Sequence, residues 1–183
     1  MSERLHQASE TATALRSGFD RSFAEPHEAR EGAFEYFLAI QVAGLPRAMS
    51  LSDIAGLYSD RRIVMIPGSA RELLGIANVR NAIVPIYSLG ALLGFHGGST
   101  SRWIVLVRAP EPVGFAFERL ESTLHVPSER VTPDAELGAG GPSRGVVRMD
   151  PIRPIVNVAS ALEVIRRLVA LCQAELIRSG VEP

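Results

Sequence analysis

The sequence contains no lysine, so all nineteen of its basic side chains are arginine. Among its 183 residues there is one cysteine, Cys172, with one tryptophan and four histidines. A single cysteine excludes an intrachain disulfide and a thiolate metal cluster, and it fits a reducing compartment. His6, His27, His96 and His125 fall in unrelated segments, and no two stand at the spacing of a metal pair or of a base and its orienting partner. No apolar run approaches eighteen residues, so no stretch reads as a membrane-spanning helix. The opening residues, MSERLHQASETATAL, lack the apolar core of a secretory signal, and the expectation is a cytoplasmic protein. An excess of one charge is missing too: nineteen cations against twenty carboxylates leave a formal net charge of -1. That leaves no global field for a polyanion, and without arginines interleaved with aromatics nucleic acid is not an expected partner. The absence of lysine itself reads as coding bias rather than a selection of guanidinium forks.

Signatures of catalysis are also missing. There is no Gly-x-Ser-x-Gly elbow, and the GAGG run at 138–141 lacks the Lys and Ser/Thr of a phosphate loop. Cys172 falls in the apolar pattern of a helix, which predicts inert packing. Glu118 and Glu121 are the nearest candidate carboxylate pair, but nothing beside them suggests an acid and a base. The sequence therefore predicts contact rather than chemistry, with no enzyme activity, cofactor or metal.

What is present is an ordinary globular composition, 46% apolar and 21% charged. A chain of this length can bury about 70% of its unfolded surface as one domain or two small ones. Residues 1–33 read as an amphipathic helical extension, because Leu5, Ala8, Ala12, Leu15, Phe19 and Phe23 recur at helical spacing until Pro26 and a charged run end the pattern. From Phe34 the period changes to two, which predicts a strand to Val42, a turn at Gly44 to Pro46 and a second strand. Ser52 or Asp53 is placed to cap a helical turn through Leu57, and Ile63 to Ile66 reads as a short strand closed by Pro67. After the Gly/Ser-rich loop at 95–102, the likeliest internal boundary, strands are predicted at Trp103 to Val107 and Val113 to Leu120. A short extended piece follows at Val126 to Val131, then a loop over 137–145 and a hairpin around Asp150 and Pro151. Ser160 is the predicted cap of a final helix bearing Leu162, Ile165, Leu168 or Val169, and Cys172 on one face, with residues 169–183 its end and tail.

The most informative stretch is Leu73 to Leu93, LLGIANVRNAIVPIYSLGALL. Two apolar runs flank Asn78, Val79, Arg80 and Asn81, as in a hairpin, and Asn81 suits the left-handed backbone of its turn. Arg80 is the only charge between Glu72 and Arg102. It is either a solvated turn residue or a donor fork for a partner. Pro85 cannot donate to a ladder, which predicts an edge strand or a bulge.

This pattern, with Gly75, Asn78, Arg80, Asn81, Ile83, Val84, Pro85, Ile86 and Leu89, resembles the central hairpin of the CheW-like family, the coupling proteins of bacterial chemosensory arrays. FEYFLAIQVAGLPRAMSLSDI, VGFAFERLESTLHVPSERV and RPIVNVASALEVI resemble further family segments, in family order, so the similarity covers about residues 34–168. It implies a mainly β fold of two intertwined five-stranded SH3-like barrels packed across an apolar seam, with helical segments at the two ends. It further implies an adaptor that binds the regulatory domain of a CheA-type histidine kinase and the cytoplasmic tip of a chemoreceptor, one barrel face for each. Carried across residue by residue, Ile54 resembles the apolar position of the first helical turn. Asn78, Arg80 and Asn81 resemble the turn involved in partner recognition, and Gly75, Val84 and Pro85 resemble positions framing the kinase-facing surface. The chain departs from the family pattern at Gly56, Ser88 and Gly90, where charged residues are common, and at Asn81, where Gly is usual. Lost charges imply altered partners, as in an alternative pathway such as surface motility or an adaptor that binds only one of the two usual partners. A different class of reading is a β-barrel that binds a small ligand or peptide in a pocket between the barrels.

Overall fold

The computed structural model describes residues 33–67, 70–95, 101–133 and 143–178. The chain divides into two units, Met1–Ala33 and Phe34–Pro183, and the elements below belong to the second. The helical extension read over 1–33 lies outside the described residues except for Ala33, as do residues 96–100 and the GAGG run.

The described strands form two mixed sheets. β1 (Phe34–Val42), β2 (Leu45–Ser50), β8 (Arg119–Pro127), β9 (Val131–Pro133), β10 (Ser143–Val147) and β11 (Arg153–Val156) make a six-stranded sheet in the order β8-β1-β2-β11-β10-β9. β3 (Ile54–Ser59), β4 (Leu73–Val79), β5 (Ala82–Ser88), β6 (Trp103–Val107) and β7 (Val113–Phe117) make a five-stranded sheet in the order β3-β6-β7-β5-β4. The chain enters the first sheet, makes the whole of the second and returns. It changes sheets at the 3-10 turn Leu51–Asp53 and at Glu118. The loop near 95–102 joins two elements of the five-stranded side, so the change of sheet does not fall there.

Alternation along the strands sorts the apolar side chains into three cores. Phe37, Ala48, Val126, Val147 and Ile155 fill the six-stranded sheet's own interior. Ala77, Val79, Val84, Ile86, Ile104 and Ala116 do the same for the five-stranded sheet. The largest cluster lies between the sheets, where Leu38, Ile40, Val42 and Met49 meet Tyr87, Val105, Phe115 and Phe117. This is the apolar seam. Two helices close it: α1 (Leu89–Leu92), capped by the Ser88 hydroxyl accepting from Ala91 N–H, and α2 (Val158–Arg178) through Val158, Ala161 and Ile165.

Several local expectations are corrected. The first turn is Ala43–Gly44, and Pro46 already lies in β2. The helical turn stops at Asp53, so Ile54 begins a strand instead of sitting on a helix. Residues 63–66 form no strand; Val64 makes one isolated bridge to Ile76. β7 ends at Phe117, and the polar stretch from Arg119 is a nine-residue strand that its sequence did not reveal. α2 starts at Val158, with the Asn157 side chain accepting from Ser160 N–H, so Asn157 and not Ser160 is the cap. Cys172 is exposed, as are its neighbours on α2 from Val169 to Ala174. No described helix is long and apolar enough to cross a membrane.

Candidate functional site: the outer face of the β4–β5 hairpin

Arg80 and Asn81 form a two-residue turn, both in the left-handed region at φ 52° and 63°. This is the geometry that matches the twist of paired strands, and Asn supplies it at low cost. An arginine there is less usual, and it projects the guanidinium off the tip. Pro85 lies in an interior strand, which corrects the edge-strand expectation for β5 as a whole. The physical constraint is met locally: the parallel ladder to β7 begins only at Ile86. On the other side Ile76, opposite Pro85, spends its own N–H and C=O on Val64, so Pro85 faces no unmet ladder partner. The irregularity lies opposite, at the register shift between Leu73 and Gly75.

Gly75 has φ 140°, and a Cβ built there would collide with the Val64 carbonyl. Val84 is buried in the barrel core, and Ile54 is half-buried against the seam cluster. Gly75 and Val84 lie within the hairpin itself, whereas Ile54, paired with Val107 at the start of β3, packs on the seam and is not brought to the hairpin by any described contact. Asn78, Arg80 and Asn81 are exposed, and Pro85 is half-exposed.

Register defines the exposed face. Bridge partners point the same way, so Val64, Ile76 and Pro85 form one cross-strand row, with the Asn78/Ile83 pair beside it. Ile83 is 70% exposed and Val64 52%, and the adjoining Met65 is 82% exposed. These open apolar side chains lie close together around the β4–β5 hairpin. A depression of about 450 Å³ beside β4 is lined by Ile63, Met65, Arg71, Leu73 and Leu74.

The guanidinium of Arg80 lies 5.8 Å from the centroid of the Tyr58 ring, and that of Arg61 lies 5.6 Å from it. Sequence reasoning missed Tyr58, Arg61, Val64 and Met65. No local period links β3 and the segment after it to a hairpin tip; only the fold does.

The two carboxylates considered as a pair have separate duties. Glu118 accepts from Ala43 N–H at 2.7 Å and Gly44 N–H at 3.0 Å, which ties down the β1–β2 turn. Glu121 accepts from Gln41 and pairs with Arg153. Among the described residues no group of three His, Cys, Asp or Glu is placed to hold a metal.

Residues 37–166 match the CheW-like domain. The chain belongs to the CheW-like family. Among solved structures, the CheW-like fold is shared with the scaffolding protein TtCheW of Thermoanaerobacter tengcongensis at a TM-score of 0.61 and 17% identity, covering 68% of this chain and 90% of that one. No curated protein matches the chain. Within the CheW-like frame, the hairpin presents an apolar row ending in a cationic tip.

Proposed function

We propose that this CheW-like chain is a non-catalytic adaptor in a bacterial chemosensory array, joining a CheA-type histidine kinase to the cytoplasmic tip of a chemoreceptor. Membership in the family supports the adaptor role, and the matched structure is itself described as a scaffolding protein. The observation that carries the reading is the open row of Val64, Ile76, Pro85 and Ile83 beside Arg80, a surface with a desolvatable centre and a charged rim. Asn78, Arg80 and Asn81 make the direct contacts. Gly75, Val84 and Pro85 keep the face in shape, and Ile54 would act apart from it, at the seam end of β3. The missing charges at Gly56, Ser88 and Gly90 favour a pathway with its own partner set, such as surface motility.

Mechanistically, a rigid adaptor that holds kinase and receptor together raises the effective concentration of one near the other, so a small receptor shift biases the kinase. The seam, where a small-ligand barrel would need its pocket, is packed with buried side chains such as Leu38, Met49, Tyr87 and Phe115.

Calorimetric titration of the purified chain with a cognate receptor-tip fragment and, separately, with the kinase regulatory domain tests the proposal. Binding to at least one is expected, weakened about ten-fold by Arg80→Ala, the range of a single interface anchor. Binding to neither overturns it.

A further inference from the structure

Two guanidiniums share the ring of Tyr58, and no described carboxylate pairs with either. The neighbouring carboxylate, Asp60, is engaged by Arg102 rather than by Arg61 or Arg80, and other ion pairs join Arg144 to Asp53, Arg153 to Glu121 and Arg167 to Glu163. From Arg61 to Ser101 the sequence carries four arginines and one acid, Glu72. Like charges gathered on one ring repel each other, and the quadrupole of a single tyrosine offsets this only in part. Among the described residues the arrangement has no paired carboxylate.

The Tyr58 ring is itself placed by an absence. It lies over Gly56, where a Cβ would meet the ring edge and the hydroxyl at 3.0 Å. The hydroxyl is buried there with no hydrogen-bond partner among the described residues. An acidic side chain at position 56 would displace the ring and supply the missing negative charge from within the chain. Glycine leaves the ring in place and, among the described residues, brings no carboxylate to the pair.

We propose that Arg61, positioned by Tyr58, joins Arg80 to form a clamp for a carboxylate of a partner protein, carried next to an aliphatic side chain that seats on Val64 and Ile83. The charge complement fixes the occupant as an acidic, amphipathic protein segment. Guanidinium forks suit a carboxylate because they offer paired, planar donors. The source of that segment rests on the adaptor reading; the clamp does not.

The test uses a synthetic helix-forming peptide with leucine and glutamate along one face, and a second peptide with glutamine for every glutamate. The full chain should bind the glutamate peptide about ten-fold more tightly, a preference that shrinks as salt screens it. Nitrogen-15 spectra should show the side-chain Nε–H signals of Arg61 and Arg80 shifting together. Arg61→Gln, Tyr58→Leu and Gly56→Glu should each remove the preference, while Tyr58→Phe, which retains the ring, keeps it. Backbone amide spectra of each variant confirm its fold. Equal affinity of the wild type for both peptides, or a preference that survives Arg61→Gln, overturns the clamp. A wild type that prefers the glutamate peptide yet binds neither the receptor tip nor the kinase domain upholds the clamp and overturns the adaptor.

Discussion

The β4–β5 and β10–β11 hairpins are built on one plan and differ at their tips. Each opens on a glycine of positive φ, Gly75 at 140° and Gly145 at 153°, where a Cβ would strike a neighbouring carbonyl, that of Val64 or of Thr132. Each has a register shift at that glycine, and each places a proline opposite the next residue, Ile76↔Pro85 and Val146↔Pro154. Both second strands then make a parallel pairing, contribute one residue to the seam, Tyr87 or Val156, and run into a helix capped by a side chain, Ser88 or Asn157. At the tips the likeness ends. One hairpin reverses in two residues and lifts Arg80 over Tyr58; the other takes the five residues Arg148 to Ile152, with a cis Asp150–Pro151 bond. Features present in both hairpins belong to the fold. What is present once is where a partner-specific function can reside, which separates Gly75 and Pro85 from Arg80 and Asn81.

The largest effect should come from the shared feature. Gly75→Ala and Gly145→Ala are each expected to lower unfolding free energy by about 3 kcal/mol or more, from unfavourable backbone and steric collision together. Urea denaturation of the two variants checks this. A large loss in one and none in the other would break the parallel.

Next come the exposed aliphatic residues near the tips, Ile83 and Ile152, at 70% and 63% exposure. Ile83→Ser should weaken partner binding about ten-fold while stability moves by no more than about 0.5 kcal/mol. Ile152→Ser should leave both unchanged. Equal effects on binding would move the contact surface off the β4–β5 hairpin.

The smallest effect concerns the seam pair. Burial, and secondarily Cys172, raises the Tyr87 phenol above its ordinary value of 10.0. The folded state therefore holds the phenolic proton more tightly than the unfolded one. The resulting stability is complete below pH 10.0 and is lost as pH rises through the folded value. Denaturation series at increasing alkaline pH should show unfolding free energy falling more steeply in wild type than in Tyr87→Phe. Val156, the matching position in the other hairpin, has nothing to titrate.

Legibility in the sequence followed the locality of the cause. The β4–β5 turn could be read because Asn81 and the flanking apolar runs are neighbours in the chain. The two-sheet fold was reached through a set of such pieces in family order. β8 escaped because most of its side chains face solvent and leave no period of two, its backbone being held by β1. Ile63 to Ile66 misled for the opposite reason, since the run is apolar without having a strand's partners. Helical spacing identified the apolar stripe of α2 but not where the body beneath it ends, so Cys172 was placed inside. The approach of Arg61 to Tyr58 depends on the course of the chain after β3, and neither composition nor spacing records it.

The bond from Glu118 to the Ala43–Gly44 turn spans 75 residues of chain. A corner made early in the sequence thus has its amides satisfied only after the entire five-stranded sheet has intervened. The six-stranded side is thus split in sequence around the contiguous five-stranded one, β3 to β7, and the pair should melt in a single transition. A load applied at the hairpin tip would then be shared by both sheets through the seam.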